Sequence, residues 1–164
     1  PHPHGPPGPP GLAGHRPVGN IVPFNNDELF FFDRYYPGGE NQVRGFRYRS
    51  IWVRDPKTNA TVTDEDGFPL GGDKLFVMNL EYHFVINETL RFLLWGDAGN
   101  VYSEDQDYDL TRLRYAAGFE FRVTVPMFGA PLRFIYAINV DPVNDPLLGA
   151  DRFEDFQFSI STSF

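Results

Sequence analysis

The 164-residue chain has no cysteine, only two methionines, and nothing close to the ~20 consecutive apolar residues that a spanning helix needs. The missing thiols exclude a disulfide scaffold, thiolate catalysis and cysteine-based zinc sites. The missing apolar run excludes a helical membrane protein. It does not exclude one that crosses with strands, because a spanning strand alternates lipid-facing and lumen-facing residues and averages to mild polarity. Basic residues are also scarce, 14 Lys and Arg against 22 Asp and Glu, which sets the net charge at −8. A chain of that sign offers no basic surface for phosphates, so nucleic acid is not an expected partner.

Aromatic residues are abundant: 17 Phe, 8 Tyr and 2 Trp make up 16% of the chain, a composition suited to a surface that meets lipid and its headgroup boundary. Residues 1–20 differ in kind from the rest. They carry four Gly-x-y triplets from Gly5 to Arg16, too few for a stable collagen-like helix, and read as a Pro/Gly-rich disordered lead. His2, His4 and His15 lie there without a neighbouring carboxylate, so no metal site is expected. Asp55 and the run Asp64-Glu65-Asp66 read as solvated loop charges rather than a calcium site. No Ser/His/acid arrangement stands out, and neither an enzyme nor a cofactor is expected.

Beyond residue 74 the period becomes two. Phe76, Met78, Leu80, Tyr82, Phe84 and Ile86 share one face, and Val77, Asn79, Glu81 and His83 the other. The same alternation predicts strands over 75–86, 90–102, 113–125, 132–140 and 156–164, all of one parity. Connections alternate as well: 87–89 and 126–131 are short, while 103–111 and 141–152 are longer and acidic, the layout of an outer-membrane barrel. The polar face carries Arg91, Asp97, Arg114, Glu120, Arg122 and Arg133, charges of both signs that can pair across a lumen, and the other face is large and apolar. A soluble ligand-binding barrel with its apolar face inward is the alternative, and the charge pattern favours lipid outside. The expected fold is therefore all-β, a partial antiparallel transmembrane β-barrel of five strands. Barrels begin at about eight strands, so it is incomplete on its own and is expected to be a fragment. Residues 21–74 read as a long external loop and 75–164 as the barrel strands, with the chain ending in the periplasm.

Within 31–46, an aromatic lead, Gly38-Gly39 and then Val43-Arg44-Gly45-Phe46 resemble the sixth external loop of the outer-membrane protein assembly factor family (the BamA type), with TamA and the two-partner secretion transporters as relatives. Further matches follow in family order: Gly71-Gly72-Asp73 before Leu80-Glu81-Tyr82, then 95–102, then 113–119, then Phe156-Gln157-Phe158-Ser159-Ile160 with the terminal Phe164. Residues 1–20 do not resemble the strand that the family places ahead of this loop.

The resemblance implies that the loop folds back into the lumen and that Arg44 meets acidic residues of the inner wall, at positions matching Glu81 and Asp97. The residues are suited to this: Gly45 permits a tight turn, Phe46 an apolar anchor, and Arg44 offers five donors in a rigid fork. The alternative is a solvated Arg44, with the two carboxylates paired to Arg91 or Arg114. The resemblance further implies an insertase of the outer membrane, with Phe156, Phe158, Ile160 and Phe164 on the strand at its seam. Unfolded outer-membrane clients and lipid would be its partners, and accessory lipoproteins would bind through upstream domains. A two-partner secretion transporter, in which the same loop gates a pore, is the competing function.

Overall fold

The computed structural model describes residues 11–15, 18–20, 33–125, 127 and 130–160. Its strands are β1 (Gly11–His15), β2 (Val18–Asn20), β3 (Lys74–Val85), β4 (Leu90–Tyr102), β5 (Arg114–Val125), β6 (Ala130–Asn139), β7 (Asn144–Asp145), β8 (Gly149–Ala150) and β9 (Phe156–Ile160). β3, β4, β5, β6 and β9 form a consecutive antiparallel sheet in chain order. Residues of these strands alternate between a mainly apolar, aromatic-rich face and a face that mixes apolar, small and charged side chains, so the second can be buried while the first stays open. The β3–β4 turn is built by Asn87, whose Oδ1 accepts the N–H groups of Thr89 and Leu90 at 2.9 and 2.8 Å, an Asx turn that fixes the register from Val85↔Arg91 to Lys74↔Tyr102. β7 and β8 form a separate small hairpin in the long β6–β9 connection.

Residues 11–15 and 18–20 depart from the expected disordered lead. β1 and β2 both pair antiparallel with β3, Gly11 opposite His83 and Val18 opposite Phe76, along one continuous register. They occupy a sixth strand position at the edge of the sheet. Composition resembling a linker therefore does not preclude pairing here. Residues 1–10, with His2 and His4, lie outside the described residues, as does Phe164.

The two faces of the sheet differ completely. On the open face Leu80, Tyr82, Leu94, Phe119, Phe121, Phe134, Tyr136, Ile138, Phe156, Phe158 and Ile160 are all exposed. Their rings run across the strands: Phe92 meets Phe121 at 5.0 Å, Phe119 stacks on Tyr136 at 5.1 Å, and Phe134 lies 5.2 Å from Phe158. The opposite face is covered by the segment from residue 33 to 72. Val43, Phe46, Ile51 and Val53 of that segment pack with Val77, Trp95, Ala116, Ile135 and Ala137 of the sheet to make the core. Among the described residues no helix is long and apolar enough to cross a membrane.

Candidate functional site

The covering loop is closed at its base by Tyr35 and Gly72, which exchange backbone hydrogen bonds of 2.8 and 2.9 Å. Its tip turns back on itself, with Gly39 N–H donating to Phe46 O at 2.9 Å. This turn aims Arg44 at the sheet. The Arg44 side chain is 97% buried, and its fork grips Asp97 on β4 through Nε to Oδ2 and Nη2 to Oδ1, both 2.7 Å. The Arg44 backbone N–H adds a third bond to Asp97, 3.0 Å long. Nη1 donates to Glu81 on β3 at 2.6 Å and to Glu120 on β5 at 3.0 Å. The guanidinium carbon sits 4.3 Å above the Trp95 ring, a face that favours a cation.

Two further arginines complete the cluster. Glu120, fully buried, accepts Arg122 Nε at 2.6 Å and Arg133 Nε at 2.7 Å. Arg122 also reaches Glu81 at 3.2 Å, and Arg133 holds the loop through Asn41 Oδ1 at 3.0 Å and Glu40 O at 3.1 Å. The three cations Arg44, Arg122 and Arg133 thus meet the three anions Glu81, Asp97 and Glu120, and the buried network is charge-balanced. Burial works against the charge on Arg44. The Asp97 hydrogen bond and the charges of Asp97, Glu81 and Glu120 outweigh it, holding its proton more tightly than in an ordinary arginine. Carboxylates engaged this way are suited to holding a loop, not to moving protons. Among the described residues no group of three metal-binding side chains converges on an open site.

Gly45 and Phe46 continue the tip. Gly45 has φ +83°, and a Cβ there would lie 2.3 Å from Phe153 Cζ and 2.7 Å from Ala137 Cβ, so only glycine fits. Phe46 is buried edge-on against Phe153 with centroids 5.1 Å apart. Arg91 is exposed, and Arg114 pairs with Asp151, so neither takes the place of Arg44 at the two carboxylates. Phe156, Phe158 and Ile160 project from the open face of β9, and no strand pairs with the other edge of β9 among the described residues.

A second anchor lies in the β6–β9 connection. Asp151 accepts from Arg114, from Arg54 of the loop at 3.4 Å, from Asn139 at 3.0 Å and from Val143 N–H at 2.9 Å. Asp145 accepts both the N–H and the hydroxyl of Thr61, at 2.7 and 2.6 Å. Burial alone would raise the Asp145 carboxyl. The Thr61 hydroxyl and the N–H groups of Leu148, Leu147 and Thr61 hold it below the usual carboxylate range instead. Sequence reasoning did not single out Glu120, Arg122, Arg133, Gln157 or these two aspartates as site residues. The first four share the inward parity of Asp97, a signal that was available; the aspartates lie in loops, where none was.

Comparison with known proteins bears on this arrangement. The sequence pattern of the Omp85 superfamily domain matches residues 11–164. The outer membrane protein assembly factor BamA of Nitratidesulfovibrio vulgaris is 31% identical over 146 residues, which is 87% of this chain and 17% of that protein. The crystal structure of BamA from Haemophilus ducreyi lacking POTRA domains 1–3 superposes with a TM-score of 0.65 at 25% identity, covering 90% of this chain and 30% of the solved one. The chain therefore spans about a sixth of the curated relative it matches.

Proposed function

The chain belongs to the Omp85 superfamily, and on that premise we propose that it serves as the C-terminal barrel portion of an outer-membrane protein assembly factor. In this reading the open aromatic face meets lipid, the covered face is the lumen wall, and the segment 33–72 is an external loop seated in the lumen. β9 forms one lip of a seam at which a client strand is templated. An edge strand offers a row of unpaired N–H and C=O groups, so templating needs no catalytic residue and no cofactor. The client proteins, the accessory lipoproteins and a periplasmic C-terminus belong to this proposal.

The observation that carries it is the lock on the lumenal loop. Arg44 ties the loop to three adjacent strands through Asp97, Glu81 and Glu120. The test uses the full-length protein, upstream domains included, in phospholipid vesicles with an unfolded barrel protein as client. Accelerated acquisition of protease resistance by the client is the expected result. Export of a soluble passenger without any acceleration of client insertion would overturn the reading and identify a secretion transporter.

A further inference from the structure

The last strand changes partner part-way along. β9 pairs with β6 from Leu132↔Ile160 to Tyr136↔Phe156, and Ala137 N–H still donates to Asp155 O at 2.8 Å. β6 runs on to Asn139, yet the chain outward of Asp155 does not follow it as a ladder. Residues 152–154 exchange backbone bonds with the loop tip instead: Glu154 N–H donates to Gly45 O at 2.7 Å and Arg47 N–H to Arg152 O at 2.9 Å. Phe46 and Phe153 form the bridge between these two donors.

One side chain reaches this junction from β9. Gln157 points inward, and its amide lies against the backbone N–H of Gly45 and the backbone carbonyl of Phe46. Gly45 N–H donates to Gln157 Oε1 at 2.9 Å, while Gln157 Nε2 donates to Phe46 O at 3.3 Å. A primary amide carries a donor and an acceptor side by side, as a backbone peptide does, and here it extends the loop-to-strand pairing by one rung. The close approach depends on Gly45, since any side chain there would collide with Phe153.

We infer that Gln157 is a positioning residue whose amide ties the tip of the lumenal loop to the last strand, so that the seat of the loop decides where the outer end of that strand lies. With the loop seated, 152–154 face Gly45 and Arg47, and the β6 ladder stops at Phe156. With the loop lifted, the same backbone groups are free to continue along Ala137–Asn139 or to meet another strand. The clamp stands on geometry alone, and its consequence for clients rests on the proposed seam.

The test is amide hydrogen exchange on the full-length protein in detergent, comparing Gln157→Leu and Gln157→Glu with wild type. In Gln157→Leu the Arg47 and Glu154 amides are expected to exchange about tenfold faster, with β3 and β4 unchanged. Wild-type protection of those two amides in the leucine variant would overturn the clamp. Gln157→Glu separates bonding from packing. Its carboxylate opposes the Phe46 carbonyl at neutral pH, but once protonated it can donate there. Corrected for intrinsic rates, protection of Arg47 and Glu154 is expected to return as the pH falls through the carboxyl range. Absence of that recovery would also overturn the inference, even if Gln157→Leu fails to fold. Client insertion is measured in parallel. Unchanged insertion by an unclamped variant would count against the seam, not against the clamp.

Discussion

Replacing Arg44 by alanine leaves the three carboxylates of the cluster in different positions, and the difference sets the size of the effect. Four side-chain bonds are lost, two to Asp97 and one each to Glu81 and Glu120. Glu120 keeps Arg122 and Arg133, and Glu81 keeps Arg122 and His83. Asp97, whose side chain is fully buried, keeps among the described residues only the residue-44 backbone N–H. A charge pair ~4 Å apart in a partly hydrated interior is worth about 4 kcal/mol before desolvation is subtracted. Removing one partner of a buried pair costs about 3–5 kcal/mol, mainly through the charge left behind. The cost should therefore sit on Asp97. A double-mutant cycle in denaturant titrations of the full-length protein in vesicles is expected to give a coupling of about 3 kcal/mol between Arg44→Ala and Asp97→Asn. For Arg44→Ala with Glu81→Gln the expected value is about 1 kcal/mol, because Glu81 is re-partnered. Arg44→Lys should behave more like alanine than like wild type, since an ammonium cannot hold Asp97 with a fork and reach two glutamates together. Equal couplings at both acids, or none at Asp97, would refute this assignment of the energy.

Three other substitutions probe separate parts of the molecule. Gly45→Ala imposes both a left-handed backbone on a Cβ-bearing residue and a collision with Phe153; a loss of about 3 kcal/mol is expected, of which Phe153→Leu restores only the steric part, read as denaturation midpoints. Phe121→Lys places a charge on the open aromatic face and should cost roughly 2–4 kcal/mol in vesicles if that face meets the middle of the bilayer, whereas an unchanged midpoint would argue that the face is wet. Asp145→Asn tests the second anchor by pH. The Asp145 pKa is depressed below 3.8 in the folded protein, so its contribution is present above that value and lost as the pH falls through the folded one. The difference in Tm between wild type and Asp145→Asn should stay constant from neutral pH to roughly pH 5 and close in stronger acid; a gap that narrows near neutrality would point to a different titrating group.

The strands were legible because their period is two and the buried face tolerates no slip: a one-residue shift would put Asp97 and Glu120 on the aromatic side. The turn at Asn87 was legible for a similar local reason, an amide side chain that bonds the backbone two and three residues on. The contact of the loop tip with Glu81 and Asp97 was implied by the family resemblance that Val43-Arg44-Gly45-Phe46 carries; the chemistry of Arg44 and Gly45 suits it but left a solvated arginine open. The edge strand was hidden, because Gly11, Gly14 and Pro17 leave no alternation to read and its register is imposed by β3. Asp145 and Asp151 were hidden for another reason. The side chains of Asp55 and Asp64 bond within their own turns, accepting the N–H groups of Lys57, Thr58, Asp66 and Phe68. Asp145 and Asp151 look alike in sequence but bind Thr61 and Arg54, 84 and 97 residues away. No local rule separates the two kinds of loop aspartate.

A charge network is a costly way to hold a loop, because a buried ion cluster can often be replaced by apolar packing with no loss of stability. The molecule already uses apolar packing beside it, in Val43, Phe46, Ile51 and Val53. What apolar packing does not supply is direction. The Arg44 fork fixes both the depth and the rotation of the tip relative to β4, because two parallel bonds to one carboxylate allow a single orientation. Arg133 repeats the constraint from β6, through Asn41 and Glu40 on the approach to the tip. Only with rotation fixed can the next two residues present the Gly45 N–H and the Phe46 C=O to the amide of Gln157. The polar cluster and the apolar anchor thus do different things. Phe46 keeps the loop down, and Arg44 aims the backbone that the last strand reads.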